Sequence, residues 1–324
     1  MKTVIIRNPI SGSPQRQFAF ARAEETFARA GWDVTVWVTE RKGHARDLAE
    51  KAALEGYKCV VVAGGDGTIG QAVDGLLHSR VEDVQFGVIP MGTGNVFARE
   101  MGLPFPKSPI DDAPARAAHI IIENEPVRVD VGQANGHSFL CWAGVGLDAV
   151  IAERVESQLT FKRRAPLISY ALTALNRTLS YSPAAMTLRL DDGETLNGKF
   201  PLVIVSNIRL YARYFRLTPG AKIDDGMLDL LIFTSTPKIK LLYDAAQLIL
   251  SPDGQTPGMI RRQVRQVTIA ADPPQPYHLD GDPLGRTPLD IRSLHRRLLI
   301  RLDRPRIADA LLENAKGKKE EPHV

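Results

Sequence analysis

Cys59-Val-Val-Val-Ala-Gly-Gly-Asp-Gly-Thr-Ile-Gly70 passes from an unbroken apolar segment into a glycine turn with a single acid, Asp66, and on into a helical pattern from Ile69 to Leu77. A short apolar run ended by turn residues reads as a strand buried on both faces, the kind found in parallel sheets. Glycines in the turn let the backbone approach a ligand, and the amides that open the following helix bind phosphate. Asp66 places a carboxylate at that turn, where it repels phosphate unless it holds a divalent cation or a substrate proton. An acid in this position asks for magnesium.

The residues around this stretch alternate strand and helix signals: TVII, a helical pattern from Gln15 to Ala30, WDVTVWV, Ala45 to Glu55, CVVVA, Ile69 to Leu77, and FGVIP. That order predicts a parallel α/β sheet. Two more polar turns close strands of the same sheet, Asn8-Pro-Ile-Ser-Gly12 after the first and Pro90-Met-Gly-Thr-Gly-Asn95 after the fourth. In an open parallel sheet all three turns fall on the C-terminal edge, where ligands bind. Gly65 to Gly70 also fits the G-x-G-x-x-G dinucleotide pattern, but it follows the third strand and the next strand ends in Pro90-Met91 rather than a ribose-binding acid. Gly193 to Lys199 resembles a Walker loop but continues with Phe200 where serine or threonine is required.

The 324 residues are 44% hydrophobic and 24% charged, enough apolar material for two cores and incompatible with disorder as the main state. Lys and Arg number 41 against 37 Asp and Glu, a net charge of +4 that does not mark a nucleic-acid binder. No run approaches the roughly 18 apolar residues of a membrane-spanning helix, and Met1 leads directly into a strand pattern, so a cytoplasmic protein is expected. Cys59 and Cys141 both sit in apolar segments and read as buried thiols. The histidines show no zinc-binding pattern.

Prolines 104, 106, 109 and 114 mark a change of composition, and a domain boundary is expected near residue 125. Residues 126–295 then carry β-branched runs, HSFLCWA, MTLRLDDGETLNGKFPLVIVS, GMLDLLIF, VRQVTIAAD and HRRLLIRLD, which predict an antiparallel β-rich domain with a hairpin at Asp192-Gly193. Helical patterns interrupt it at Leu167 to Leu179 and Ile239 to Leu250. Residues 296–314 are expected to complete the first domain, and 315–324 read as a disordered tail.

These motifs resemble the diacylglycerol kinase catalytic fold, which includes bacterial lipid kinases and the sphingosine and ceramide kinases. The match comprises Asn8-Pro9-x-Ser11-Gly12, Gly64 to Thr68, Gly92-Thr93-x-Asn95, Asp130-x-Gly132, Gly144-x-Gly146-x-Asp148-Ala149, Asp225-Gly226-x-Leu228-Asp229 and Asp280-Gly281-Asp282, in family order over almost the whole chain. The resemblance implies an N-terminal α/β domain of the NAD kinase and diacylglycerol kinase type, a C-terminal antiparallel β-sandwich, and transfer of the γ-phosphate of ATP to a lipid hydroxyl. It implies that Asn8, Pro9, Ile10, Ser11, Gly12, Thr39, Gly64, Gly65, Asp66, Gly67, Thr68, Ile69, Gly70, Gly92, Thr93 and Asn95 surround the ATP. Asp282 falls on the family's general base, and Asp66 acts through Mg2+ or on the reacting hydroxyl; which of the two takes the proton stays open.

The resemblance further implies a structural Mg2+ held by the Asp225 side chain and the carbonyl oxygens of Lys222 and Met227, although Asp-Gly before a strand is also ordinary turn chemistry. Asp148 occupies a position that resembles a lipid-headgroup contact of the sphingosine kinases, with a purely structural acid, as in bacterial-type members, as the alternative. The chain departs from the family at Val96, where aspartate is usual, at Asp282, one methylene shorter than the usual glutamate, and at Gly70, where asparagine is frequent. The aromatics and arginines of Asn207 to Arg216, with Phe161 to Arg164, read either as a surface for anionic lipid or as a solvated loop. A lipid substrate met at a membrane surface by transient association is expected, and the oligomeric state is left open, a homodimer included. Two other functions are compatible with these residues, an NAD-kinase-like enzyme and a non-catalytic nucleotide-binding regulator.

Overall fold

The apolar run Cys59 to Gly64 forms β3 (Cys59–Gly64), central in a parallel sheet with β1 (Lys2–Arg7), β2 (Asp33–Val38) and β4 (Gln85–Pro90), in the order β2-β1-β3-β4. The computed structural model describes residues 1–12, 14–106, 111–157, 180–211, 215–250, 257–304 and 307. Every residue of β3 is buried, because the sheet is covered on both faces. Val60 and Val62 pack towards α2 (His44–Leu54) and α3 (Asp66–His78), against Ala49, Ala52, Ile69 and Val73. Cys59, Val61 and Ala63 face the opposite layer, where Phe20, Ala23 and Phe27 of α1 (Pro14–Arg29) meet Ala117, Ala118 and Ile121 of α5 (Ala113–Glu123). Spacings of three and four residues on those helices give each a single apolar stripe, and each fully buried Val or Ile contributes about 1.5–3 kcal/mol.

The second half of the chain begins with β5 (Pro126–Ala134), β6 (His137–Phe139), β7 (Trp142–Gly146) and α6 (Leu147–Ser157). A hairpin of β8 (Ala185–Leu190) and β9 (Thr195–Lys199) turns at Asp192-Gly193, where Gly193 has φ +90°. There follow β10 (Leu202–Ser206), β11 (Leu210–Tyr211), β12 (Phe215–Arg216), β13 (Leu228–Phe233) and the helix α7 (Lys238–Leu250); α4 (Val96–Glu100) lies in the first half. The chain ends in β14 (Met259–Val264), β15 (Gln266–Asp272), β16 (Pro276–Leu279), β17 (Asp282–Arg286) and β18 (Leu289–Arg301).

Two sheets pack face to face in this half. One, ordered β14-β13-β10-β7-β16-β17, is antiparallel throughout. The other is continuous with the N-terminal sheet, giving ten strands with the path β2-β1-β3-β4-β18-β15-β8-β9. Val203, Val205, Leu228, Leu230 and Ile232 of the first interdigitate with Leu188, Val267, Ile269, Leu289 and Ile291 of the second, the alternation expected of a sandwich.

The joint between the halves is β18. Its end pairs in parallel with β4, Leu299 opposite Gln85, while its beginning pairs antiparallel with β15. Along its length β18 pairs antiparallel with β5, with a register shift between Leu294 and Leu298 where Arg296 stands at φ +50°.

Two expected runs are divided. HSFLCWA is broken between β6 and β7 because the amides of Leu140, Cys141 and Trp142 bond a carboxylate instead of a neighbouring strand. VRQVTIAAD is split between β14 and β15, which belong to different sheets. The expected helix at Leu167 to Leu179, the segment Phe161 to Arg164 and the tail at 315–324 lie outside the described residues.

Candidate active site

The three turns at the C-terminal edge of the parallel sheet touch one another. The Asn8 Nδ2 donates to Thr68 Oγ1 at 2.9 Å, joining the first turn to the second, while the Ile10 amide donates to Asn8 Oδ1 and shapes the Asn8–Gly12 loop. Thr39 lies beside this loop, its amide donating to the Arg7 carbonyl at 2.9 Å. The second and third turns meet backbone to backbone: a Cβ on Gly92 would stand 2.5 Å from the Gly65 Cα. Glycine at 92 is required for that approach, a Cβ on Gly65 would crowd it at 3.2 Å from the Gly92 Cα, and the main-chain amides are left as the lining of the cleft.

Asp66 is the first residue of α3, with Gly65 in extended conformation before it. The Phe97 amide donates to Asp66 Oδ1 at 3.2 Å. Burial pushes the Asp66 carboxyl above the usual carboxylate range, and the amides of Phe97, Val96 and Asn95 pull it back. The Val96 contribution comes from its backbone, while its side chain is buried in the apolar cluster beneath α4. Valine in place of the family's aspartate therefore leaves the hold on Asp66 intact. Asn95 stands at φ +51° and donates to the Gly92 carbonyl at 2.8 Å; its Oδ1 is buried without a hydrogen-bond partner. Thr93 is exposed between them.

A fourth turn reaches this edge from the second half. Asp280 and Gly281, both with positive φ, form the two-residue connection between β16 and β17. Asp280 accepts the Leu140 amide at 2.8 Å on Oδ2, and those of Cys141 and Trp142 at 2.8 and 3.0 Å on Oδ1. Burial, aided by the negative charge of Asp66, pushes Asp280 up to about 6 against the pull of those amides. Asp280 is thus a structural clamp, whereas Asp282 is one third exposed, with the Lys42 ammonium 3.8 Å from its Oδ1. Gly67 and Gly70 lie against these acids: a Cβ on Gly67 would be 3.5 Å from Asp282 Oδ2, and one on Gly70 3.4 Å from Asp280 Oδ2. The family's asparagine at position 70 would point at Asp280.

Asp148 lies at the start of α6, 3% exposed. His278 Nε2 is 2.8 Å from its Oδ2, and the Tyr211 hydroxyl donates to its Oδ1, so both oxygens are engaged within the protein. Lys222, Asp225 and Met227 line a separate depression of about 630 Å3 together with Asp229 and Arg261. There the Met227 amide donates to Asp225 Oδ1 at 2.9 Å, and burial and the charge of Asp225 push Asp229 up to about 7. A half-buried carboxylate pair next to main-chain carbonyls is a hard-oxygen donor set that fits Mg2+. Among the described residues no cluster of three or more His, Cys, Asp or Glu side chains forms a metal cage.

Two features of the site carry no sequence signal. Glu100 and Arg209 form a buried ion pair at 2.8 Å, in a chain where a single Glu and a single Arg 109 positions apart announce nothing. His278 is a lone histidine in an apolar strand, which by itself reads as core.

Residues 2–134 match the diacylglycerol kinase catalytic domain, and residues 142–301 match the YegS C-terminal NAD kinase beta sandwich-like domain. Residues 2–134 thus belong to the diacylglycerol kinase catalytic-domain family, and the chain is a kinase with an alcohol group as acceptor. It is 28% identical over 296 residues to a diacylglycerol kinase of Bacillus subtilis (strain 168), covering 91% of this chain and 94% of that one. A diacylglycerol kinase of Staphylococcus aureus (strain MRSA252) is 26% identical over 311 residues, covering 96% and 95%. A solved structure of a diacylglycerol kinase from Bacillus anthracis str. Sterne superposes with a TM-score of 0.69 at 21% identity, covering 93% of this chain and 97% of that one, a likeness of fold.

Proposed function

We propose that this protein is an ATP- and Mg2+-dependent lipid kinase that phosphorylates a hydroxyl of diacylglycerol or a closely related lipid. The observation that carries the proposal is the meeting of four loops: the Asn8, Gly65 and Gly92 turns of the parallel sheet and the Asp280-Gly281 turn of the sandwich, with Asp66 and Asp282 both facing the cleft between them. The glycine backbones and the N-terminus of α3 suit a polyphosphate. The unpartnered, buried Asn95 Oδ1 is an acceptor for a ligand's hydroxyl or amino group. Mg2+ held at the nucleotide would neutralise charge developing on the transferring phosphoryl group.

The chain's own part is to position and to move one proton. Asp282, one third exposed and 3.8 Å from the Lys42 ammonium, takes the hydroxyl proton as general base. Asp66, held by the amides of Asn95, Val96 and Phe97, orients the acceptor and would hold a cation bound at the phosphates. The Asp225 side chain and the carbonyl oxygens of Lys222 and Met227 would hold a second, structural Mg2+ in the depression they line. The lipid reaches the cleft from a membrane surface by transient peripheral contact; among the described residues no helix is long and apolar enough to cross a membrane.

The experiment is transfer of label from γ-labelled ATP into mixed micelles of diacylglycerol, phosphatidylglycerol, ceramide or sphingosine, with NAD as a soluble acceptor in parallel. A labelled lipid supports the proposal. Labelled NAD, or nucleotide binding without any transfer, overturns it in favour of an NAD-kinase-like enzyme or a regulator respectively.

A further inference from the structure

His278 is 1% exposed, sits in β16 two residues before Asp280, and is not spent on packing alone. The Gly281 amide donates to its Nδ1 at 3.1 Å. An imidazole nitrogen that accepts an N–H carries no proton, so the ring's hydrogen is on Nε2 and is donated to Asp148 Oδ2 at 2.8 Å. Asp148 is fixed in turn by the Tyr211 hydroxyl. The pair has room only because residue 144 is glycine: a Cβ there would stand 2.1 Å from Asp148 Oδ2 and 2.4 Å from His278 Nε2. The Trp142 ring lies edge-on to the imidazole with centroids 6.3 Å apart and packs at 5.0 Å on Tyr211.

The consequence falls on the connection between β16 and β17. A tight two-residue turn leaves the amide of its second residue outside the strand ladder, and here that amide, Gly281 N–H, is taken by His278. The first residue, Asp280, is held from the other side by the amides of residues 140–142. The turn is therefore pinned at both of its residues, and the next residue in the chain is Asp282.

We propose that His278, oriented by Asp148 and Tyr211, is a positioning residue that fixes the Asp280-Gly281 turn and thereby aims the Asp282 carboxylate into the cleft. This rests on the assignment of Asp282 as the general base. It also gives Asp148 a role in this chain that needs no contact with the lipid headgroup.

The test uses the two amides that each reproduce half of the imidazole. In His278→Asn the side-chain oxygen takes the place of Nδ1 and keeps the Gly281 contact; in His278→Gln the amide takes the place of Nε2 and keeps Asp148 while releasing Gly281. Displacing a catalytic group by about 1 Å costs on the order of a hundredfold in rate. His278→Gln is expected to lower kcat by about that factor, with KM for ATP and lipid within about twofold of the parent. His278→Asn is expected to retain at least tenfold more activity than His278→Gln, and in 15N-glycine-labelled protein the Gly281 amide resonance should move in the Gln variant and stay in the Asn variant. In an Asp282→Asn background His278→Gln should cost almost nothing further.

Equal losses in the two His278 variants, or a full additional loss in the Asp282→Asn background, would overturn the positioning role and leave His278 as core packing. An Asp282→Asn variant of full activity would instead remove the base assignment itself. An inactive Asp282→Asn beside a fully active His278→Gln would sink the positioning role alone.

Discussion

Glu100, at the end of α4, and Arg209, beyond β10, form an ion pair with 2.8 Å between Oε1 and Nε, their side chains only 4% and 11% exposed, across the boundary between the two halves of the chain. Buried pairs of this kind cost heavily when one member is removed, because the other stays charged in a poor dielectric. Arg209→Met is expected to destabilise the fold by about 3–5 kcal/mol, and Glu100→Leu with Arg209→Met to recover most of it. Urea unfolding of the two variants checks this; equal stability of the single and double variants would contradict it.

The contact of Gly65 with Gly92 predicts a second outcome. A methyl group at residue 92 would meet the Gly65 Cα at 2.5 Å, and backbone cannot yield as a flexible side chain can. Gly92→Ala is expected to cost about 1–3 kcal/mol of stability and to weaken ATP binding more than tenfold, since the strain is relieved by opening the phosphate-facing loops. Thermal unfolding with and without ATP separates the two effects.

Asp280 gives the stability a pH dependence of known sign. Burial, helped by the charge of Asp66, raises it from 3.8 to about 6, so between those values the native chain holds the proton that the unfolded chain has lost. Its contribution is greatest below about 4, declines as pH rises towards about 6, and is constant above, a change on the order of 1–3 kcal/mol. Denaturation midpoints from pH 4 to 7 should lose this decline in Asp280→Asn, whatever the variant's absolute stability. An unchanged difference profile would show that the carboxylate is not shifted.

Most of the parallel sheet was legible in the sequence because its strands are buried on both faces and its turns are rich in glycine. Val60 to Ala63 and Val88 to Pro90 carry their environment in their composition, and a ligand edge follows from three turns on parallel strands. What was not legible is what arises between distant segments. The break of HSFLCWA at Leu140-Cys141 exists because Asp280, about 140 positions away, draws off three amides. The division of labour in Asp280-Gly-Asp282, with one acid clamped and the other open, depends on the same contact. His278 became readable only once Gly281 and Asp148 stood on either side of its ring.

The depression containing Asp225 predicts a metal response. Saturating Mg2+ is expected to stabilise the protein by about 1–3 kcal/mol through linked binding, and Asp225→Ala to abolish that gain while leaving stability in EDTA nearly unchanged. Thermal scans in EDTA and in Mg2+ report both quantities. A gain that survives in Asp225→Ala would place the ion elsewhere.

The most direct test is phosphate transfer itself, measured with γ-labelled ATP, Mg2+ and diacylglycerol micelles for the parent protein, Asp66→Asn and Asp282→Asn. A positioned acid–base group contributes on the order of a hundredfold to ten-thousandfold, so labelled lipid from the parent and a loss of that size in both variants is the predicted result. Labelled lipid at the parent rate from Asp282→Asn, or no labelled lipid from the parent while ATP binds, would contradict the assignment of this cleft as a lipid kinase site with Asp282 as its base.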